Sequence, residues 1–278
     1  MNTIQTWLAP AKLNLFLHIT GRRPDGYHEL QTIFQFIDYC DELDFSVRDD
    51  GKIHCQTNTD LASEDNLIVK AAKLLQQHTQ TSLGADIQLR KKIPMGGGLG
   101  GGSSNAATTL LALNQLWELD LSKQVLQQLG IQLGADVPIF IYGKSAWAEG
   151  IGEKLQPINL SEDWFLVIHP NCHVATGEIF SDKLLTRNKH PITMAHFLAG
   201  HSSNVCESVV CHLYPEVKEA MDWLDQFNQA KMTGTGACIF TQCKTQEQAQ
   251  QILAALPSKW QGFVSQGKNS SPAVVNKL

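Results

Sequence analysis

The clearest chemical signal in the sequence is a glycine-rich stretch followed by two serines. Six glycines occupy the seven positions 96–102, and Ser103 and Ser104 follow directly. Glycine lets the backbone approach a ligand and adopt positive φ angles at little cost, and the first N–H groups of a helix attract anions. A flexible Gly/Ser linker is the alternative, but here an amphipathic helix follows at once, with Leu110 and Leu113 on one face. The stretch is therefore predicted to bind phosphate.

The common nucleotide-binding motifs do not fit this stretch. The spacing Gly-x-Gly-x-x-Gly begins at Gly96, but a dinucleotide site needs that loop directly after a strand, and Pro94 separates the two. A Walker A loop ends in Gly-Lys-Ser, and the tripeptide at Gly143–Ser145 has Pro138 where the first glycine must stand. The motifs of protein kinases do not occur either. A glycine loop without its own lysine must rely on basic residues from elsewhere.

Several side chains are candidates for assisting such a loop. Lys12 lies in an apolar strand, where a lysine either reaches solvent or meets an anion, and the Lys91–Lys92 pair offers further positive charge. Asp136 lies at a turn and could serve as a base toward a phosphoryl acceptor, with an ordinary turn aspartate as an equal alternative. Ser103 and Ser104 could donate to phosphate, help to hold Mg²⁺ or cap the helix.

Composition limits the class of protein. The chain has 278 residues, of which 43% are hydrophobic and 18% charged, and a net charge of −5; this is typical of a globular protein and argues against nucleic acid as a partner. No secretory signal or membrane-spanning run is recognisable, and seven scattered cysteines favour a reducing compartment. We therefore expect a cytoplasmic protein without a membrane partner. The His and Cys residues between His196 and His212 lack the spacing of metal ligands, so no metal-ligating residue is assigned.

Hydrophobic periodicity predicts the elements that position these residues. Trp7–Ile19 is predicted to be a strand interrupted at Pro10–Lys12. Asn66–His78 and a segment that starts near Ser104 are predicted to be helices. Val137–Tyr142, a short apolar run, is predicted to be a buried strand.

Strands and helices do not alternate strictly along the chain, which favours an α+β fold over a doubly wound sheet. A second set of strands and helices begins after Pro157. We therefore predict two domains, residues 1–157 with the glycine-rich loop and residues 158–278.

Three segments together resemble the signature motifs of the GHMP small-molecule kinases. The first consists of Pro10–Leu15 and Arg23–His28, the second is Pro94–Ser104, and the third is Met232–Cys238. They occur in the expected order, and the resemblance covers almost the whole chain. It implies a two-lobe GHMP kinase fold, with an N-terminal lobe like domain 2 of ribosomal protein S5 and a C-terminal ferredoxin-like α/β plait. It also implies phosphoryl transfer from ATP, with Mg²⁺, in the cleft between the lobes.

Two further segments, Asp25–His28 and Gly134–Pro138, are similar to one branch of this family. That branch phosphorylates the tertiary 2-hydroxyl of a cytidine diphosphate-linked methylerythritol in the non-mevalonate route to isoprenoid precursors. The resemblance implies this small-molecule substrate and a monomer or weak homodimer. A GHMP kinase for homoserine or phosphomevalonate is the alternative. A non-catalytic nucleotide-binding regulator would be expected to lack Lys12 or Asp136, and both are present.

The resemblance also implies roles for individual residues. Asp136 is expected to take the proton of the acceptor hydroxyl, and Lys12 to position Asp136 and stabilise negative charge. Asn66 and Lys91 are expected near the adenosine of ATP. The expected phosphate-binding residues are Pro94, Met95, Gly96, Gly97, Gly98, Leu99, Gly100, Gly101, Gly102, Ser103 and Ser104. The expected cytidine diphosphate site consists of Asn14, Tyr27, His28, Thr176 and Phe180.

Overall fold

Two long antiparallel strands form the centre of the N-terminal half. In the computed structural model, which describes residues 4–58 and 66–274, β1 (Gln5–Arg22) pairs with β2 (His28–Arg48) along almost its whole length. The turn between them contains Gly26 at φ +90°, a conformation that glycine adopts readily. These two strands carry the first motif, with Lys12 in β1 and His28 at the start of β2.

The remaining elements are shorter. The other strands in the described ranges are β3 (Ile53–Thr57), β4 (Gly84–Arg90), β5 (Ala146–Gly150), β6 (Lys154–Pro157), β7 (Trp164–His169), β8 (Lys231–Met232), β9 (Ile239–Cys243) and β10 (Gln261–Lys268). The helices are α1 (Leu67–Thr79), α2 (Gly101–Leu116), α3 (Lys123–Leu133), α4 (Val137–Tyr142), α5 (Thr176–Ser181), α6 (Met194–Leu198), α7 (Glu207–Leu213), α8 (Pro215–Leu224) and α9 (Gln246–Ala254). Within this described part of the chain, no helix combines the length and apolarity that crossing a membrane requires.

Strands of both halves join in one sheet. The order is β3-β4-β2-β10-β7-β9-β8, while β1 and β5 also pair with β2, and β6 pairs with β5. Most pairs are antiparallel and β3 with β4 is parallel, which excludes a doubly wound parallel sheet. β10 connects the halves, because residues 261–266 pair with β7 and residues 267–268 pair with β2. The domain boundary predicted near Pro157 falls between β6 and β7 and remains a prediction.

The core extends beneath the glycine-rich loop. Helices α1 to α4 pack on the N-terminal strands, and α7 to α9 pack on the C-terminal strands. Between these two clusters, a third joins Leu13 of β1, Leu99 of the loop and Phe165 of β7, all nearly inaccessible to solvent. Burying a leucine side chain contributes about 1.5–3 kcal/mol. The loop is therefore anchored in the core by its one large aliphatic residue between the glycines.

The apolar segment predicted to be a strand is instead the short helix α4. Pro138 lies in its first turn, where the missing N–H costs nothing, and Gly143 ends it in the left-handed conformation at φ +75°. The prediction was wrong because periodicity does not distinguish a buried strand from a buried helix in a short, uniformly apolar run. Asp136 consequently precedes a helix rather than a strand.

Two boundary predictions also need correction. β1 passes through Pro10 without interruption, and a register shift between Pro10 and Ala11 accommodates the residue that lacks an N–H. The helix after the glycines begins earlier than predicted, at Gly101, and its capping residue is Gly100. The two serines therefore lie inside the first turn and are not caps, which leaves their hydroxyl groups for other partners.

Candidate active site

A cavity of about 560 Å³ opens along the glycine-rich loop, and its walls come from both halves of the chain. The residues expected at the site that line it are Lys12, Asn14, Asn66, Lys91, residues 94–103, Asp136, Thr176 and Phe180. Ser104 lies beside these residues but is fully buried. Tyr27 and His28 line a second cavity that adjoins the first.

The loop backbone requires its glycines. Gly96, Gly98 and Gly100 have φ angles of +66°, +72° and +73°, a region that other residues rarely adopt. Space is equally restrictive, since a Cβ on Gly98 would lie 2.2 Å from the carbonyl oxygen of Thr233. The glycines thus allow the loop to lie directly against the third motif.

Hydrogen bonds from two sides fix this loop. The N–H groups of Ala237 and Cys238 each donate to one of its glycine carbonyls at 3.1 Å, and Thr233 Oγ1 donates to the Gly98 carbonyl at 3.2 Å. From β1, the backbone N–H of Lys12 donates to the carbonyl of Leu99 at 3.0 Å. Because the protein binds these carbonyl oxygens, the loop does not present them to an anion. Its N–H groups and the N-terminus of α2 are suited to phosphate.

Replacing Gly98 with alanine is expected to displace the loop. The new methyl group would overlap the Thr233 carbonyl, and the left-handed conformation costs a residue with a Cβ roughly 1–2 kcal/mol. We expect the KM for ATP to rise about tenfold or more and the Tm to fall, as measured by steady-state kinetics and calorimetry. Gly21→Ala is the control, since its Cβ would meet nothing closer than 3.8 Å. An unchanged KM for ATP in Gly98→Ala would contradict this role of the loop.

A buried lysine and a more exposed aspartate meet in the cavity. Lys12 Nζ lies 3.2 Å from Asp136 Oδ2, and the two side chains are 3% and 38% exposed. The same ammonium donates to Asn14 Oδ1 at 2.5 Å and to the Gly98 carbonyl at 2.9 Å. Asn14 in turn donates to Thr32 Oγ1 at 2.9 Å. The ammonium group is thus fixed by three acceptors, and it orients a carboxylate that remains open to the cavity.

Asn66 and Lys91, expected near the adenosine, have structural contacts of their own. Asn66 Oδ1 accepts from the N–H of Ile68 at 2.9 Å and caps α1. Lys91 Nζ lies 2.7 Å from Asp41 Oδ2, and these side chains are 6% and 0% exposed. Burial lowers the pKa of Lys91, while the Asp41 carboxylate opposes this shift. Lys91 therefore borders the cavity as one half of a buried ion pair.

Asp41 is a residue that the sequence analysis missed. Its carboxylate also accepts from the N–H groups of Lys92 at 2.7 Å and Ile93 at 2.8 Å, and from Asn105 Nδ2 at 2.9 Å. The first two lie on the segment that enters the loop, and Asn105 lies on the helix that leaves it. One buried carboxylate therefore fixes both ends of the loop. Its charge partner Lys91 is 50 residues away in sequence, so no local pattern indicates the pair.

Replacing Lys91 with methionine is expected to destabilise the protein by about 3–5 kcal/mol, because the Asp41 charge would stay buried without its cation. Chemical unfolding measures this free energy. Lys92→Met is the matched control: Lys92 pairs with Glu42 but is 52% exposed, so a change within about 1 kcal/mol is expected. The double variant Asp41→Asn/Lys91→Met should recover part of the loss. Equal effects at both lysines would refute the importance of the buried pair.

The second cavity has a volume of about 510 Å³ and aromatic walls. His28 and Phe180 stack with ring centroids 5.2 Å apart and planes at 25°, and Tyr27 is 59% exposed. Phe180 lines both cavities, so they form one continuous cleft. Thr176 Oγ1 lies 2.9 Å from Thr235 Oγ1 of the third motif. Three of the five residues expected at the cytidine site thus line the second cavity, whereas Thr176 and Asn14 line the first.

The polar groups near the glycine-rich loop have limited capacity for a metal. Ser104 Oγ is buried and has no hydrogen-bond partner among the residues that the structure describes. In the same ranges, no group of three or more His, Cys, Asp or Glu side chains is arranged to hold a metal ion. A cation at this site would therefore take most of its ligands from a bound phosphate chain and water.

The hydrogen-bonded glycine loop, the lysine–aspartate pair and the adjoining pocket are suited to phosphoryl transfer to a small molecule. The chain belongs to the GHMP kinase family. The family's N-terminal domain matches residues 66–144, and its C-terminal domain matches residues 187–262. The resemblance drawn from the three motifs and the predicted two-lobe α+β fold are confirmed.

Close relatives and solved structures agree with this assignment. The chain is 54% identical to the 4-diphosphocytidyl-2-C-methyl-D-erythritol kinase of Hahella chejuensis, covering 100% of this chain and 97% of the relative. It is 56% identical to the enzyme of the same name from Nitrosococcus oceani, covering 95% of each. A crystal structure of 4-(cytidine 5'-diphospho)-2C-methyl-D-erythritol kinase is 32% identical, with a TM-score of 0.81 over 95% of this chain and 99% of that one. Mevalonate kinase, at 18% identity and a TM-score of 0.69 over 96% and 100%, shares the fold.

Proposed function

We propose that this chain transfers the γ-phosphoryl group of ATP to the 2-hydroxyl of 4-diphosphocytidyl-2-C-methyl-D-erythritol, giving the 2-phosphate and ADP. The observation that carries the proposal is the Lys12–Asp136 pair in a cleft with a phosphate loop in one part and an aromatic pocket in the other. The names of the relatives, which match over nearly their full length, support this substrate. The reaction belongs to non-mevalonate isoprenoid precursor biosynthesis.

The reaction requires one bond to form and one to break. The oxygen of the 2-hydroxyl attacks the γ-phosphorus, and the bond to the bridging oxygen breaks, so that its electron pair leaves with ADP. The hydroxyl proton passes to the Asp136 carboxylate, which Lys12 holds in place from 3.2 Å. A tertiary alcohol is hindered and weakly acidic, so positioning and electrostatic stabilisation supply most of the acceleration. A general base contributes roughly 10²–10⁴-fold.

The residues near the loop fit a role for Mg²⁺. Magnesium prefers oxygen ligands and is commonly held by one or two protein groups together with substrate phosphates. The Ser103 hydroxyl and the Asp136 carboxylate are oxygen ligands at the cavity, and the unpartnered Ser104 Oγ lies buried beside it. They would hold the ion, which would neutralise charge on the phosphates of ATP.

The aromatic pocket is proposed to bind the cytidine half of the substrate. Cytosine has a flat face and a polar edge, which suit stacking and hydrogen bonding. Tyr27, His28 and Phe180 supply both kinds of contact, and Thr176 adds a hydroxyl group from the adjoining cavity. The loop residues 94–104, with Asn66 and Lys91, are proposed to hold ATP in the other part of the cleft.

The enzyme is also proposed to act in the cytoplasm as a monomer or weak homodimer. Every proposed site residue comes from one chain, so the cleft needs no second copy to be complete. All seven cysteines are free thiols, which suits a reducing compartment.

Coupled detection of ADP release tests the proposal. Purified enzyme with Mg²⁺ and ATP would be given 4-diphosphocytidyl-2-C-methyl-D-erythritol or, separately, the methylerythritol phosphate without its cytidine half. We expect turnover with the complete substrate alone. Turnover of homoserine or phosphomevalonate instead would assign the chain to another member of the family. Absence of turnover with every acceptor, despite ATP binding, would refute the proposal.

A further inference from the structure

An arginine outside the three motifs holds both aromatic walls of the second cavity. Arg187 Nε donates to His28 Nε2 at 3.2 Å. Its Nη2 donates to the carbonyls of Phe180 at 2.8 Å and Asp182 at 2.6 Å. Its Nη1 donates to the carbonyl of Leu185 at 3.1 Å. The carbonyls of Phe180 and Asp182 lie at the C-terminal end of α5, where orphan acceptors and the helix dipole favour a cation. Arg187 therefore links α5, which carries Phe180, to the ring of His28, which stacks on Phe180.

This contact determines where the hydrogen of His28 lies. A guanidinium group can only donate, so Nε2 must accept through its lone pair. The hydrogen of the neutral ring is then on Nδ1, which is the nitrogen left for a ligand. Burial lowers the pKa of His28, and the charges of Arg187 and Arg22 lower it further. The ring consequently offers a hydrogen-bond donor rather than an acceptor.

We propose that Arg187 is a positioning residue that fixes the Nδ1–H tautomer of His28 and thereby makes the enzyme select cytosine over uracil. The selection rests on the proposed function, because it concerns the base of that substrate. His28 lines the cavity, whereas Arg187 lies behind it. A fixed donor pairs with the N3 acceptor of cytosine and opposes the N3–H of uracil. Sites that read a base in this way discriminate through groups left unpaired with the wrong ligand.

Kinetics of Arg187→Met test the selection. The readout is kcat/KM for the cytidine substrate and for its uridine counterpart. In the variant we expect the KM of the cytidine substrate to rise about tenfold and the preference for cytidine to fall about tenfold, the size of one hydrogen bond. We expect kcat and the KM for ATP to stay within about twofold, since the phosphate loop is untouched. Lys189→Met, which removes a cation two residues away, is the matched control and should preserve the preference. An unchanged preference in Arg187→Met would overturn the proposal.

A spectroscopic measurement tests the pairing without any substrate. Long-range ¹H–¹⁵N spectra of the wild-type enzyme with ¹⁵N-histidine, assigned with His28→Gln, report which ring nitrogen is protonated. We expect Nε2 of His28 to be the unprotonated nitrogen in the wild type, and the Nε2–H form to appear in Arg187→Met. An Nε2–H form in the wild type would overturn the pairing. If the wild type turns over neither nucleotide, the proposed function and the base selection fail together, while the tautomer result still decides the Arg187–His28 contact.

Discussion

Asp136→Asn is expected to lower kcat by about 10²–10⁴-fold while ATP binding survives. Asparagine keeps the shape of the side chain but cannot accept the proton of the acceptor hydroxyl. Asp136 does not anchor the loop, which is held by hydrogen bonds from Lys12 and the third motif and, at its two ends, to Asp41. Coupled ADP release measures kcat, and calorimetric titration with a non-hydrolysable ATP analogue measures nucleotide affinity.

Asp49→Asn, which removes an exposed carboxylate from a distant turn, is the control and should leave both quantities unchanged. A near-wild-type kcat in Asp136→Asn would exclude this residue as the base. An equal loss of kcat and of ATP affinity would indicate a structural effect instead.

Lys12→Met is expected to lower kcat by about 10³-fold, because a single charge-stabilising donor in an active site contributes 10²–10³ and this one also positions the base. Asn14 Oδ1 would also lose its buried donor, which costs roughly 1–3 kcal/mol, whereas the Gly98 carbonyl keeps its hydrogen bond from Thr233 Oγ1. Steady-state kinetics and thermal unfolding measure the two effects separately.

The double variant Lys12→Met/Asp136→Asn tests whether the pair acts as a unit. Residues that act together lose activity non-additively, so its kcat should lie close to that of Lys12→Met. Lys73→Met, an exposed change on α1, is the control for loss of a lysine. Multiplicative losses in the double variant would show that the two residues act independently.

The sequence indicated the glycine-rich loop because the spacing of its glycines reports the local conformation of the backbone. Gly96, Gly98 and Gly100 all have positive φ angles, a backbone conformation that is unfavourable for residues with a Cβ, so glycine is needed at each position. The strand that carries Lys12 and the helix α1 were likewise predicted from local patterns. The assignment of each residue to ATP or to cytidine came from the family resemblance and stays a prediction.

The failure at α4 shows the limit of periodicity. Six apolar residues in succession fit either a buried strand or a buried helix, and tertiary packing decides between them. Pro138 in the first turn and Gly143 after the last were the available signals for a helix. They indicate the helix only when read as a pair of boundary residues.

Asp41 and Arg187 could not be found in the sequence because their importance comes from distant partners. Asp41 contacts Asn105, 64 residues away, and Arg187 contacts His28, 159 residues away. Neither residue lies in a motif or in a pattern with a recognisable period. Only the folded chain shows that one carboxylate holds both ends of the glycine-rich loop and that one guanidinium holds the aromatic walls.

The place of β10 in the chain has a consequence for biosynthesis. This strand lies between β2 and β7, yet it follows all three motifs in the sequence. During translation, every proposed catalytic and binding residue leaves the ribosome before the strand that joins the two halves. A premature stop codon just ahead of Gln261 would spare each of those residues and still leave the sheet divided. In genetic terms, late truncations of this gene should be as damaging as substitutions at Lys12 or Asp136.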